Sequence, residues 1–135
     1  MLIVLMLTTL LAAPAQEPKP AADVRLVVER ASAGGYVYTC NGKVLDPKRV
    51  LTGLQGALRA DAPGKTRMFV LLGDDVSLDQ TFEMASLIEG KIGLSDVRYF
   101  AFSRKTGVMQ EVKPFWDRWK LSFDGKLEKA PLVSQ

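Results

Sequence analysis

The chain predicts a two-layer α+β (α/β) domain of order ββ(β)αβαβ, with two helices packed on a small mixed sheet and a C-terminal tail. Three observations carry that prediction. Short runs rich in β-branched and aromatic residues alternate with two stretches whose apolar residues recur at helical spacing. Each helical stretch lies between strands, which implies crossovers and parallel neighbours within one sheet. The 135 residues, 47% hydrophobic and 24% charged, suit one packed core and leave no room for two.

Met1 to Ala13, MLIVLMLTTLLAA, is apolar apart from Thr8 and Thr9. At about 1.5 Å rise per residue such a run covers roughly 20 Å, short of a bilayer core of about 30 Å. Ala13-Pro14-Ala15 supplies small residues before Gln16, so residues 1–15 read as a signal peptide removed on export. Because nothing before Lys19 is positive, the other reading is a truncated membrane anchor. Residues 16–22, QEPKPAA, have almost nothing to bury and read as a Pro-rich linker.

The folded domain is expected over 23–107. Val24 to Glu29 and Tyr36 to Cys40 are strands, and Asn41-Gly42 marks a tight hairpin turn because both positions need positive φ. Lys43 to Leu45 pairs back. Asp46 before Pro47 signals a helix start, and Val50, Leu51, Leu54, Ala57 and Leu58 form its apolar stripe until Ala62-Pro63-Gly64 ends it. Arg67 to Leu72, continuous rather than alternating in its apolar residues, is expected at the centre of the sheet. Ser77 with Gln80 forms a capping box for a second helix over Leu78 to Ile92, whose core face is Leu78, Phe82, Ala85, Ile88 and Ile92 and which Gly93 closes. Asp96 to Ser103 is a strand, a Lys105-Thr106-Gly107 turn follows, and a return strand through Val108 to Val112 is stopped by Pro114. Residues 108–135 are set apart as a C-terminal extension.

Composition excludes much chemistry. The chain has no His and one Cys, which removes imidazole acid/base catalysis, His-based triads, Cys/His zinc sites and intrachain disulfides. Cys40 reads as a small buried strand residue. Lys and Arg number 18 against 15 Asp and Glu, and the net +3 is dispersed, so no nucleic-acid footprint is expected. No glycine-rich loop cradles a phosphate. The expectation is a non-enzymatic chain with no catalytic residue, metal or cofactor.

An apolar N-terminal segment, a Pro-rich tether and a ββαβαβ domain together resemble the ExbD/TolR family of envelope energy-transducing (biopolymer transport) proteins. The resemblance covers about Val24 to Phe102. VYTCNGKVLDPKRVLTGLQGAL is similar to the family's strand, Asn-Gly turn and helix, and MFVLLGDDVSLDQTFEMASLIEGKIGLSDVRYFAF to its strand, acidic turn, helix and last strand. Asp75-Val76 sits where the family has an Asp-Val before its second helix. The resemblance implies a periplasmic or secreted location, possible tethering to the inner membrane through residues 1–13, homodimerisation, and contact with an envelope protein or the cell wall. The family's membrane helix carries an essential aspartate; Met1 to Ala13 has no acid, so proton coupling is not implied.

Two clusters are candidate sites. Asp74 and Asp75, with Asp79, follow the central strand, where open α/β sheets present ligand sites. They read as helix-cap and dipole partners first, and as the turn of a small secreted hydrolase or ligand-binding protein second. Phe115, Trp116 and Trp119 gather aromatics among charges, a mixture that suits interfaces, sugar stacking or a membrane surface. The plainer expectation packs Trp116 and Trp119 on the open face of the sheet. The candidate partner-binding residues are therefore Phe115, Trp116, Trp119, Asp74 and Asp75.

Overall fold

The computed structural model describes residues 22–61 and 66–130. The expected signal or anchor at 1–15, the linker except Ala22, and the Ala62-Pro63-Gly64 helix stop lie outside those residues. The β-branched run forms β1 (Ala22–Arg30), and the chain reverses into β2 (Tyr36–Cys40). Asn41 and Gly42 adopt φ of 50° and 83°, the positive values that the tight turn demands, and β3 (Lys43–Val44) returns beside β2.

Helix α1 (Val50–Asp61) starts later than Pro47. The intervening residues close a turn of their own. Lys48 N–H donates to Asp46 Oδ1 at 3.0 Å, and Arg49 N–H to the Asp46 carbonyl at 2.9 Å, so Asp46 caps that turn instead of the helix. Then come β4 (Thr66–Gly73), α2 (Leu78–Ala85), β5 (Val97–Ser103), β6 (Val108–Phe115), β7 (Lys120–Ser122) and β8 (Leu127–Lys129). The second helix is not α-helical to its end: Ser86–Ile92 winds as a π-helix. That wider winding closes where Gly93 N–H donates to the Ile88 carbonyl at 3.0 Å, with Gly93 at φ 84° as expected of the closing residue.

The strands form one mixed sheet of order β3-β2-β1-β4-β5-β6-β7, with β8 also beside β6. β4 runs parallel to β1 and β5 in the middle, as its continuous apolar run predicted; the other pairings are antiparallel. The division expected between residues 107 and 108 falls inside the β5–β6 hairpin, so the tail is part of this sheet. Pro114 does not stop β6. Pairing with β5 has ended at Tyr99↔Val112, and Pro114 faces Leu121 of β7 at an edge where a missing N–H is tolerated.

Alternation of side chains sorts the sheet into two faces. Val24, Leu26, Val28, Met68, Val70, Leu72, Tyr99 and Val112 point to one face and form the main core with Leu54, Met84, Ala85 and Ile88 of the helical layer. Val27, Leu71, Phe100, Phe102 and Ala130 form a smaller cluster on the other face, with Phe69 and Met109 against it.

Helix α2 is rotated from its predicted seat. Phe82, Ala85 and Ile88 are buried, but Leu78 is 45% exposed and Gln80, Thr81 and Met84 are buried. Ser77 Oγ accepts from Gln80 N–H at 3.1 Å, completing half of the capping box. The Gln80 side chain does not reach back to close the other half. It donates instead to Tyr38 Oη at 2.6 Å, a buried bond from helix to sheet that turns this face inward. Burial pushes the Tyr38 hydroxyl above its ordinary pKa against the opposing effect of that bond. Tyr99 makes a matching tie, donating to Glu89 of the π-helical turn, and burial followed by that bond raises it far above the normal range.

Candidate functional site

The β6–β7 hairpin carries the aromatic candidates. Val112 belongs to the helix-side core, so strand alternation puts Pro114 and then Trp116 on that side too. Trp116 and Trp119 close over Phe82 of α2, with ring centroids 5.2 Å and 5.0 Å from it and 6.1 Å from each other. The expected seat on the open sheet face is therefore corrected: the pair covers a helix. Phe82 is 2% exposed, while Trp116 remains 38% and Trp119 61% exposed. Trp119 also holds φ at 48°, a left-handed conformation that costs a residue with a side chain about 1–2 kcal/mol. Arg118 lies over the Phe115 ring at 5.0 Å, so the third aromatic is held within the hairpin.

Two grooves flank this platform. One, of about 370 Å³, is bordered by Trp119, Phe82 and Leu87 with Asp79, Glu83 and Lys91. The other lies between Trp116, Pro114 and Tyr99. The grooves mix apolar floor with charged rim, the composition of a contact surface.

The acidic candidates lie elsewhere. Gly73 pairs with Phe102 near the end of β5, so Asp74 and Asp75 sit at one end of that strand, whereas Phe115 and Trp116 lie past its beginning. The five residues thus do not form one site. Asp74 and Asp75 are both exposed; Asp74 lines a shallow depression with Phe102, Phe123 and Leu127. Asp79 parts from them and joins the Trp119 groove. Among the described residues no three Asp, Glu or Cys side chains come together in a group able to hold a metal ion. Cys40 is buried, as its strand position predicted.

Sequence reasoning missed a third feature, the face of the sheet away from the helices. Among the described residues no helix covers it, and its phenylalanines are roofed by arginines. The Arg67 guanidinium stands 5.1 Å from the Phe69 centroid, Arg98 stands 5.3 Å from Phe100, and Arg104 stands 5.9 Å from Phe102. Each of these arginines is held by a carboxylate: Arg67 by Asp23 at 3.0 Å, Arg98 by Glu111 at 2.7 Å, and Arg104 by Glu29. The bonded carboxylates raise the three arginines further, and Arg98 holds Glu111 below the usual carboxylate range. The Glu29–Arg104 pair reaches from β1 to the residue after β5, across the end of β4, where a Cβ at Gly73 would stand 3.6 Å from Glu29 Cγ. The signal was present in the alternation R-Y-F-A-F-S-R over 98–104, which places Arg98, Phe100, Phe102 and Arg104 on one face.

No described protein family, curated protein or solved structure matches the chain. Among the described residues no helix is long and apolar enough to cross a membrane.

Proposed function

We propose that this chain is a non-enzymatic interaction module of the cell envelope, resembling the periplasmic domain of ExbD/TolR proteins, which self-associates and touches an envelope protein or the cell wall. The observation that carries the reading is the aromatic platform: Trp116 and Trp119 fixed on Phe82 with much of both indoles facing solvent. Large aromatics already locked by packing contribute contact area at small entropic cost, which is why Trp dominates the energetics of protein interfaces. The apolar run at 1–13, with the linker behind it, supports placing that platform outside the cytoplasm.

Fractionation of cells producing the full chain tests the location. The chain is expected in the periplasmic or membrane fraction and open to protease once the outer layer is removed. Recovery from the cytoplasm, protected from protease, overturns the reading. A second arm tests the hydrolase or ligand-binding alternative. Replacing both Asp74 and Asp75 by Asn is expected to leave envelope contact unchanged, whereas a turnover or metal affinity lost with these two residues would favour that alternative.

A further inference from the structure

The open face carries a groove of about 280 Å³ across its middle, lined by Arg25, Phe69, Leu71, Arg98, Phe100, Met109 and Glu128. Its floor is apolar and its two rims differ in sign. Arg25, on β1, is the one arginine of this face that makes no ion pair among the described residues; Arg67, Arg98 and Arg104 are each taken by a carboxylate. Across the groove on β8 stands Glu128, exposed and likewise without an ion pair among the described residues. Between β1 and β8 lie β4, β5 and β6, so at about 4.8 Å per strand the rims are about 19 Å apart.

We propose that this face is the docking surface for a second copy of the chain, packed sheet to sheet about a two-fold axis over Phe100, on the strand midway across the groove. A two-fold axis brings each rim of one copy onto the opposite rim of the other, so Arg25 meets the partner's Glu128 while Glu128 meets the partner's Arg25. The surface is thus complementary to itself. A uniformly anionic polymer or membrane would meet Glu128 and the carboxylates of Asp23, Glu29 and Glu111 as well as the arginines, so the charge pattern favours a second copy over either. Face-to-face packing would also cover Phe69 and Met109, the part-buried apolar side chains of this cluster. The inference rests on the self-association proposed above and assigns its surface.

Sedimentation velocity on the full chain and three variants tests it. The unaltered chain is expected to be a dimer at tens of micromolar. Arg25→Glu or Glu128→Arg alone sets like charges against each other twice, and each is expected to raise the dimer dissociation constant about tenfold or more. The double variant Arg25→Glu with Glu128→Arg restores the opposition of charges and is expected to recover the dimer, a result that misfolding cannot mimic. A dimer indifferent to the single reversals, or one the double reversal fails to rescue, overturns this surface while leaving self-association standing. A monomer at all concentrations overturns both.

Discussion

Trp119 combines three properties that individually cost stability or solubility: a left-handed backbone, an indole more than half exposed, and a place at the tip of a hairpin. Glycine occupies such a φ without strain, whereas a residue with a side chain does not. This separates two substitutions that both delete the ring. Trp119→Gly is expected to be less destabilising than Trp119→Ala by about 1 kcal/mol, because only glycine relieves the backbone. Urea unfolding of the two variants measures the difference, and equal midpoints would show that the φ of 48° carries no strain. At this scale the residues were legible but not their seat. The aromatics of 115–119 stand out in the sequence, yet the strand was expected to stop at Pro114 and the pair to lie on the open sheet face; only the place of Val112 in the helix-side core puts Trp116 on the helix side. What could not be read was Phe82 as the surface beneath them, since its helical spacing matched a position against the sheet equally well.

The elements that sequence located best were those whose local chemistry specifies them. Asn41-Gly42 specifies its turn, Ser77 its cap, Gly93 its left-handed stop, and the continuous run of β4 its central place. β7 and β8 escaped notice because they are three residues each and carry little apolar pattern; distant groups fix them. Lys113 faces Ser122 but Gln110 faces Leu127, so the edge strand takes up two extra residues between these pairs. Gln110 Nε2 pins that bulge by donating to the carbonyls of Phe123 and Gly125, both at 2.8 Å. Gly125 lies against β6 so closely that an added Cβ would stand 2.9 Å from Glu111 Cβ and 3.1 Å from its carbonyl oxygen. Gly125→Ala is therefore expected to cost about 1–3 kcal/mol and to speed amide exchange in β8 ahead of β4. Unchanged exchange in β8 would mean that the bulge tolerates a side chain.

Across the whole molecule the two faces of the sheet are closed by different physics. Helices bury one, while the other relies on arginines lying over phenylalanine rings and tied down by carboxylates. Exposed pairs of this kind contribute little each, about 0.2–1 kcal/mol, and the contribution depends on pH. Glu111 is held below its ordinary value by Arg98, so its share of stability is present at neutral pH. That share is lost as pH falls through the depressed value, below the ordinary carboxylate range near about 4.3. Arg98→Met is thus expected to lower the urea midpoint at pH 7 but to approach the unaltered chain near the acid end. A gap between the two that stays constant with pH would assign the effect to packing over Phe69 and Phe100 instead. Composition and periodicity disclosed the two-layer plan but not this closure, because MFVLL reads as continuous burial until its register with R-Y-F-A-F-S-R is known.

Contact outside the cytoplasm through the aromatic hairpin is tested most directly by photo-cross-linking in living cells. A photoreactive phenylalanine analogue at Asp117, an exposed position between Trp116 and Trp119, leaves both indoles in place. The expected adducts are with an envelope protein or cell-wall material, and they are lost when Trp119 is also replaced by Gly. Adducts with cytoplasmic proteins, or envelope adducts that persist without Trp119, would contradict the account.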